Sequence, residues 1–398
     1  MPTDSDATAT PPAQAAALVA AAGMPHHAGV RVWGLTASER ITRGLERAGV
    51  NRVLPDTSTL GSDLERVVLM RSDYFYDERF PEALAKAANG TRLVVDGEPV
   101  AAVVGGPEVA GAEAWLRGEA STGDPTCAPG DLVSSYDERL RKHQPPFIAR
   151  ATAENVRSVE NDIFAASYKG ITDVVTKWVW PLPARAVVRV CARRGITPNS
   201  VTALSYVLAI AVIALWAYGW FATGLVLGWI MTFLDTVDGK LARCTLTSSP
   251  LGNVLDHGLD LVHPPIWWAA WAWGLAGGEP GFGSYAITMW VIVIGYVVGR
   301  LLEGVFMLWF KMDMFTWRPF DAYFRQWIAR RNPNLLLLSF GLIFAAAEDG
   351  LLAIALWTVG SIAIQIVRIA QAGREKAAGR PIRSWHEERA EREARASA

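Results

Sequence analysis

The chain has 398 residues, of which 51% are hydrophobic and 19% charged, and its formal net charge is -1. It contains no block of basic residues of the kind that tracks a phosphate backbone, so the composition argues against nucleic-acid binding. The three cysteines, Cys127, Cys191 and Cys244, are scattered and odd in number. They form neither a disulfide framework nor a zinc-ligand spacing, and we interpret them as structural residues.

Residues 1–30 are rich in Ala, Pro and Thr. Their apolar run is short and no positive charge precedes it, which argues against a cleaved signal peptide. We therefore predict a disordered arm for this segment.

Residues 31–150 are predicted to form a soluble, cytoplasmic α/β domain. The pattern of residues 31–54 predicts strand, helix and strand, and residues 66–77 predict a further strand that ends near Asp73. Residues 91–106 predict two strands joined by the turn sequence DGEP. Strands that alternate with helices are typical of an α/β domain.

Residues 151–198 are predicted to be a connector that ends in an interfacial helix. Its part 171–195 mixes Val, Trp and Ile with Lys and Arg, as expected of an amphipathic helix with Trp178 and Trp180 toward lipid. The alternative is a soluble helix packed on the N-terminal domain.

Residues 199–372 are predicted to form an all-α bundle of six transmembrane helices, because each apolar run approaches the length of about 20 residues that a bilayer requires. The predicted spans are 200–219, 222–243, 251–275, 284–310, 333–348 and 350–371. Residues 373–398 are predicted to be a charged cytoplasmic tail that forms a solvated helix.

The distribution of basic residues predicts the orientation of these spans. Lys and Arg precede the first span, lie in the second and fourth connections, and follow the sixth span, whereas the other connections contain neither. Because basic loops stay in the cytoplasm, both termini and the turn between spans two and three are predicted to be cytoplasmic. The chain is thus expected to be a multi-pass protein of the cytoplasmic membrane.

Four aspartates flank this turn. Asp235 and Asp238 are three residues apart at the end of one predicted helix, and Asp256 and Asp260 are four apart at the start of the next. Each pair therefore shares a helix face, and two adjacent helices would bring the four carboxylates together. Carboxylate-only sites suit Mg2+, Mn2+ or Ca2+, and intramembrane charges indicate a functional site.

The sequence from Asp235 to Asp260 reads D-x2-D-G-x2-A-R-x8-G-x3-D-x3-D. This string resembles the signature of the CDP-alcohol phosphatidyltransferases, and the resemblance covers about residues 160–372. It implies an integral membrane enzyme of phospholipid synthesis. Such an enzyme transfers a substituted phosphate from a CDP-linked donor, often CDP-diacylglycerol, to an alcohol acceptor and releases CMP.

The resemblance also implies roles for individual residues. The positions that it assigns to divalent metal, expected to be two ions of Mg2+ or Mn2+, are Asp235, Asp238, Asp256 and Asp260. Asp260 is in addition the expected general base. The positions that it assigns to the cytidine diphosphate are Gly239, Ala242, Arg243 and Gly252.

Several arginines could bind an acceptor that carries phosphate. Arg300 lies inside the fourth predicted span, and Arg330 and Arg331 lie at the cytoplasmic start of the fifth. We predict that these three residues line an acceptor pocket. The alternatives are an ion pair between Arg300 and Glu303, and ordinary positive-inside arginines at 330 and 331.

The N-terminal half is faintly similar to sugar-phosphate nucleotidyltransferase domains fused to inositol-lipid members of the same family. Asp73 matches a position that would hold metal there, but residues 31–60 contain no Gly-rich nucleotide loop. We predict a degenerate, non-catalytic relative.

Two other functions remain open from the sequence. One is a phosphoinositol-type synthase that uses a CDP-polyol donor and a polyol-phosphate or alcohol acceptor. The other, from a different class, is a divalent metal-ion transporter, although the broken helices and repeats typical of transporters are not evident. The family resemblance also raises the expectation of a homodimer.

Overall fold

The computed structural model describes residues 14–20, 30–248 and 250–397. The side chains of residues 250–257, 259, 393, 394, 396 and 397 lie outside this description. The chain divides into two compact units. The first unit comprises the described residues up to Ser135 together with Gln144–Ala166, and the second comprises Tyr136–His143 together with the residues from Ser167 onward.

The strands, in chain order, are β1 Gln14–Val19, β2 Val53–Leu54, β3 Arg66–Arg71, β4 Tyr74–Tyr76, β5 Thr91–Val95, β6 Glu98–Val104, β7 Tyr136–Asp137, β8 Lys142–His143 and β9 Ile148–Arg150. The helices of the first unit are α1 Ala37–Arg47, α2 Arg79–Lys86, α3 Val109–Leu116, α4 Pro129–Leu132 and α5 Val156–Ala166. The prediction of an α/β region in the N-terminal half is confirmed.

The first unit is built on a five-stranded sheet of order β2-β1-β3-β6-β5. Strand β1 runs parallel to β2 and β3, and β6 is antiparallel to both β3 and β5. Apolar side chains cover both faces of the sheet. Ala16 and Leu18 pack on the face that also carries residues of α1 and α2, and Ala15 and Ala17 pack on the face that carries α3.

The predicted disordered arm of residues 1–30 is wrong for Gln14–Val19, which forms the second strand of the sheet and is almost entirely buried. Residues 1–13 and 21–29 lie outside the described part of the chain. The error has a physical cause. An alanine-rich run carries little β propensity of its own, and the strand is fixed by neighbours on both sides and both faces.

The predicted hairpin in residues 91–106 is confirmed as β5 and β6, with Asp96 and Gly97 in the left-handed conformation at the turn. The predicted strand at the start of residues 31–54 is wrong. Val32 and Leu35 form an isolated bridge, and helix α1 begins after Thr36, whose side chain takes part in a capping box with Glu39. The predicted strand 66–77 is divided into β3 and β4.

The second unit is helical. Its helices are α6 Val174–Trp178, α7 Pro181–Arg193, α8 Pro198–Ala217, α9 Phe221–Cys244, α10 Pro250–Leu275, α11 Ala286–Phe310, α12 Pro319–Trp327, α13 Arg331–Ile343, α14 Ala347–Ala377 and α15 Trp385–Ser397. Helix α8 packs against α9 and α10, α11 packs against α14, and α13 packs against α9 and α14.

Among the described residues, four helical segments are long and apolar enough to cross a bilayer: Pro198–Ala217, Phe221–Cys244, Pro280–Phe310 and Ala347–Ala377. The predicted third and fifth spans correspond to α10 and α13. Helix α13 has 13 residues, which at about 1.5 Å per residue gives about 20 Å, short of the roughly 30 Å hydrocarbon core. The structure thus supports an integral membrane protein, while the count of six spans is not confirmed.

Tryptophans hold the bundle together at one end. The ring of Trp216 on α8 lies 5.3 Å from that of Trp267 and 4.9 Å from that of Trp271, both on α10. Gly224 on α9 allows this packing, because a Cβ there would lie 2.4 Å from the Trp216 ring. These contacts fix α8, α9 and α10 side by side, and α9 and α10 carry the four aspartates.

The segment predicted to be an interfacial helix contains two helices, α6 and α7, rather than one. Trp178 is 69% exposed, as the prediction requires. The ring of Trp180 instead packs edge-on against Phe233 and Trp229 of α9. Trp180 is thus half-buried against α9, and its predicted orientation toward lipid stays a prediction.

The charged tail also departs from the prediction. Helix α14 continues to Ala377, and the tail then packs as α15 against the hairpin of β7 and β8. Ser384 and His386 are buried, and His386 stacks on Tyr136 with ring centroids 5.4 Å apart. Its charged residues thus flank a docked segment rather than a fully solvated helix.

Candidate functional site

Two of the predicted aspartates meet at one arginine. Arg331 donates from Nη2 to Oδ2 of Asp235 at 2.5 Å and from Nη1 to Oδ1 of Asp260 at 2.6 Å. The side chains of Asp235 and Arg331 are largely buried, whereas that of Asp260 is 49% exposed. Helices α9 and α10 therefore each bring one carboxylate to the same guanidinium, and the predicted convergence of all four stays a prediction.

The start of helix α13 positions this arginine. Arg330 has extended backbone and precedes the first helical residue, Arg331, so the two neighbouring side chains reach different partners. A cation in the first turn of a helix is disfavoured by the helix dipole. The two carboxylates on Arg331 offset this cost.

The third aspartate is held by a hydroxyl. Asp238 is 3% exposed, and its Oδ2 accepts a hydrogen bond of 2.6 Å from Thr202 on α8. Asp256 and Gly252 lie in α10, but their side-chain surroundings fall outside the described residues. Their predicted roles therefore stay predictions.

The end of α9 contacts the segment Ser167–Tyr168 rather than the aspartates. Lys240 is buried, donates to the Ser167 carbonyl at 3.3 Å, and lies 3.6 Å from the centre of the Tyr168 ring. Arg243 donates from Nε to the same carbonyl at 2.8 Å. Burial raises the pKa of Tyr168 above its ordinary value, so this hydroxyl stays neutral.

Gly239 makes room for Arg243. A Cβ at Gly239 would lie 3.1 Å from Nη2 of Arg243, so the guanidinium folds back over the glycine. Gly239, Ala242 and Arg243 thus lie together on the last turns of α9, with Gly239 and Ala242 half-buried. This is the surface that the motif predicts for the nucleotide.

The predicted acceptor arginines surround a glutamate. Arg330 donates to both oxygens of Glu303 at 2.5 Å, and Arg300 donates to Oε2 at 3.2 Å. The structure contains the ion pair of Arg300 with Glu303, which is the alternative to a pocket role for Arg300. This ion pair does not exclude an acceptor pocket, because Arg330, another of the predicted pocket residues, bonds the same carboxylate.

A third guanidinium concentrates positive charge here. Arg325 and Arg330 both lie against the Phe315 ring, 5.7 and 5.4 Å from its centre. Burial and the neighbouring positive charge of Arg330 lower the pKa of Arg325 to about 9. The residues 300, 325 and 330 therefore form an arginine cluster around Glu303.

Asp173 connects this cluster to α13. Its carboxylate caps helix α6 and accepts a hydrogen bond of 2.9 Å from Nδ2 of Asn332. Burial acts to raise the pKa of Asp173, but hydrogen bonds from Thr176 and Asn332 and the charge of Arg325 outweigh it. The pKa thus lies below its ordinary value, and Asp173 stays ionised.

The first unit uses its acids differently. Asp73 is 1% exposed and receives hydrogen bonds from Nε and Nη2 of Arg71 at 2.9 and 2.7 Å. Asp77 receives bonds of 2.8 and 2.9 Å from Arg79 in the same way. Both oxygens of each carboxylate are thus bonded to an arginine.

Sequence reasoning missed several residues of this region. Thr202 precedes the aspartate motif and Lys240 occupies one of its unspecified positions, so the motif indicates neither residue. Tyr296, whose hydroxyl contacts the backbone of Asp260, also lies outside the motif. The available signal for Tyr296 was Pro264 and Pro265, because prolines inside a helix leave carbonyls without their usual donors.

Comparison with known proteins identifies a family match inside the second unit. Residues 195–364 match the family model described as CDP-alcohol phosphatidyltransferase. The chain therefore contains a CDP-alcohol phosphatidyltransferase domain. The match contains the aspartate motif and helices α8 to α13, and it confirms the predicted transferase domain.

Curated relatives match over short stretches. The chain is 27% identical over 122 residues to human ethanolaminephosphotransferase 1, which is 31% of this chain and 24% of that protein. It is 31% identical over 84 residues to the Pongo abelii ethanolaminephosphotransferase 1, covering 20% and 21%. It is 42% identical over 81 residues to choline/ethanolaminephosphotransferase 2 of Arabidopsis thaliana, covering 19% and 18%. The chain therefore spans about a quarter or less of the length of these relatives.

Proposed function

We propose that this chain is an integral membrane phosphotransferase of phospholipid synthesis. It moves a substituted phosphate from a CDP-linked donor to an alcohol and releases CMP. The observation that carries the proposal is the meeting of Asp235 and Asp260 at Arg331, inside the segment that matches the CDP-alcohol phosphatidyltransferase family.

The donor chemistry of the site fits a hard divalent cation. Asp235 and Asp260 supply carboxylate oxygens from two adjacent helices, and one guanidinium can neutralise only one of their two charges. Among the residues whose side chains are described, no group of three or more His, Cys, Asp or Glu could hold a metal. The side chain of Asp256, another acid of the motif, is not among those described.

The proposed ligands of Mg2+ or Mn2+ are Asp235, Asp238, Asp256 and Asp260, with two ions expected. When bound, the cations neutralise the pyrophosphate and stabilise the leaving CMP. Arg331 now bonds one oxygen of Asp235 and one of Asp260. Its guanidinium must therefore release these oxygens or share the carboxylates when a cation binds.

Asp260 is the proposed general base. Its half-exposed carboxylate can accept the proton of the acceptor hydroxyl, whose oxygen then bonds to the phosphorus atom of the transferred group. The bond from that phosphorus to the CMP oxygen breaks, and CMP leaves with the electron pair. Gly239, Ala242, Arg243 and Gly252 are the proposed nucleotide contacts.

The arginine cluster is the proposed binding site for an anionic acceptor group, with Arg300 and Arg330 as its members closest to Glu303. Three guanidinium groups against the two carboxylates of Glu303 and Asp173 favour a phosphorylated polyol, and Arg331 would extend the pocket to Asp260. A phosphorylated acceptor pairs with CDP-diacylglycerol as the donor, which is our first candidate.

The second candidate donor is a CDP-aminoalcohol with a lipid alcohol as the acceptor. The observation that favours it is the set of relatives, which are named for ethanolamine and choline phosphotransfer. A CDP-polyol donor, as in a phosphoinositol-type synthase, has no comparable support from these relatives.

We further propose that the first unit is not catalytic. The support is that Arg71 bonds both oxygens of Asp73, the acid that would hold metal in a nucleotidyltransferase. The absence of a Gly-rich loop from residues 31–60 is not an argument against catalysis by the first unit. Since the first strand is Gln14–Val19, a nucleotide loop would lie in residues 20–36, and residues 21–29 are outside the described part.

The test is a CMP-release assay on the purified full-length chain in lipid nanodiscs. Donors would be CDP-diacylglycerol, CDP-ethanolamine, CDP-choline and CDP-inositol, each with glycerol phosphate, inositol phosphate or diacylglycerol as the acceptor, with and without EDTA. The proposal expects one donor and acceptor pair to release CMP in a Mg2+- or Mn2+-dependent reaction. Absence of CMP release from every pair, together with Mn2+ flux across proteoliposomes, would favour the transporter instead.

The proposed location is the cytoplasmic membrane, with both termini and the aspartate site on the cytoplasmic side. The positive-inside distribution of basic residues supports it. Labelling of a cysteine introduced in the tail by a membrane-impermeant reagent tests the orientation, and labelling from outside intact cells would contradict it. A homodimer stays a proposal that the oligomeric state in nanodiscs would test.

A further inference from the structure

Two consecutive prolines lie inside the helix that carries Asp260. Pro264 and Pro265 are interior residues of α10. A proline has no backbone N–H, so it cannot donate to the carbonyl four residues earlier. The carbonyls that lose their helical donors in this way are those of Asp260 and Leu261.

A tyrosine from the neighbouring helix donates to the same two carbonyls. The hydroxyl of Tyr296 on α11 lies 3.3 Å from the oxygen of Asp260 and 3.0 Å from that of Leu261. One O–H group placed between two acceptors can serve either of them or share its proton between both. The side chain thus supplies a donor where the chain's own backbone cannot.

Other contacts hold this tyrosine in place. The guanidinium of Arg300, one turn further along α11, lies 5.3 Å from the centre of the Tyr296 ring. Arg300 in turn bonds Glu303, which bonds Arg330. Asp260 is therefore held through its carboxylate by Arg331 and through its backbone by Tyr296.

We propose that Tyr296 is a positioning residue for Asp260. Its hydroxyl replaces the donors that Pro264 and Pro265 remove, and so fixes the turn of α10 that aims the Asp260 carboxylate toward α9. The catalytic consequence rests on the proposed function, because it takes Asp260 to be the general base. The structural part of the proposal, a coupling between Tyr296 and the two prolines, does not depend on the proposed function.

The test is a double-mutant cycle in the full-length chain. Tyr296→Phe removes the hydroxyl and keeps the ring. Pro264→Ala with Pro265→Ala restores two backbone N–H donors to the same carbonyls. The third arm combines all three changes, and Tyr285→Phe is the matched control, because that hydroxyl bonds the side chain of Glu348 instead.

We expect Tyr296→Phe to lower kcat for CMP release about tenfold with the donor KM unchanged, since a lost hydrogen bond and a desolvated carbonyl are together worth about that factor. In the background with both alanines, the same change should alter kcat less than twofold. A merely structural tyrosine would give equal losses in the two backgrounds, which would overturn the proposal. Tyr285→Phe should behave as wild type.

Thermal unfolding of the same four proteins provides a readout that does not need catalysis. Tyr296→Phe should lower Tm in the proline background by several degrees and leave it nearly unchanged in the alanine background. If wild type releases no CMP from any donor, the proposed function fails while this cycle still decides the coupling. Equal Tm losses in both backgrounds would refute the coupling even if the enzyme is active.

Discussion

Asp73 and Asp77 of the first unit and Asp235 and Asp260 of the second unit are held by arginines in different ways. In the first unit, Asp73 and Asp77 are each bonded through both oxygens by an arginine two residues away. In the second unit, Asp235 and Asp260 share Arg331, which lies 96 and 71 positions away in the sequence.

This difference separates structural acids from candidate functional ones. A carboxylate bonded through both oxygens by one arginine has its charge compensated by that arginine, which is typical of a structural ion pair. One guanidinium shared by Asp235 and Asp260 carries a single positive charge, and the proposed divalent cation would add the rest. The pairs also differ in sequence separation. In the first unit each aspartate and its arginine are two residues apart, whereas in the second unit the residues that meet come from α9, α10 and α13.

The largest expected effect comes from comparing an acid of each unit. Asp260→Asn keeps the shape of the side chain but removes the proposed base, and we expect CMP release to fall by about a thousandfold. Asp73→Asn is the matched variant in the first unit, and CMP release should stay within twofold of wild type. Similar losses from both variants would show that the first unit takes part in the reaction.

The second prediction concerns the ion pair of Arg71 with Asp73 in the first unit. Arg71→Ala leaves the Asp73 carboxylate buried without its main partner, and we expect the free energy of unfolding to fall by about 3 kcal/mol. CMP release per folded molecule should be unchanged. Chemical denaturation followed by the same assay measures both, and a loss of activity beyond the loss of folded protein would remove the distinction between the units.

Arg331→Gln tests whether Arg331 stabilises the protein by compensating the charges of Asp235 and Asp260. Without metal, the variant leaves Asp235 largely buried and poorly compensated, and stability should fall by about 2 kcal/mol, with Asp260 adding little because it is half-exposed. Addition of Mn2+ should restore Tm in this variant by more than it raises Tm in wild type. Arg368→Gln, which breaks a buried pair with Asp321, is the control and should lose stability that Mn2+ does not restore.

The smallest effect is expected at Gly239→Ala. A methyl group there would displace the flexible end of Arg243, so folding should tolerate it, and the helix gains up to about 1 kcal/mol of propensity. We expect the donor KM to rise about tenfold while Tm is unchanged or higher. Gly228→Ala on the same helix is the control, because a methyl group there would make ordinary contacts. An unchanged KM at Gly239→Ala would remove this surface from the nucleotide site.

Much of the second unit could be predicted because its signals are local. Apolar length and the fixed motif spacing are properties of single segments, and they located α8, α9, α11 and α14 and placed Asp235 and Asp238 on one helix. The partners of these acids could not be predicted in the same way. Thr202 and Arg331 come from other helices, and no spacing in the sequence encodes which side chains meet across a bundle.

The first unit was harder because its decisive contacts are tertiary. Strand β1 is an alanine-rich run that becomes a strand only between β2 and β3, so its own pattern carried little information. The role of Tyr296 could in part have been anticipated, since two adjacent prolines in an apolar helix require donors from elsewhere. Which residue supplies them depended on the packing of α11 against α10.

The most direct test of the account is the binding of Mn2+, followed by electron paramagnetic resonance on the full-length protein in nanodiscs. The carboxylates of α9 and α10 are proposed to hold divalent cations, so wild type should bind Mn2+, and Asp235→Asn should weaken this binding at least tenfold. Asp73→Asn should bind as wild type does. Equal Mn2+ binding by wild type and Asp235→Asn, or its absence from wild type, would contradict the account.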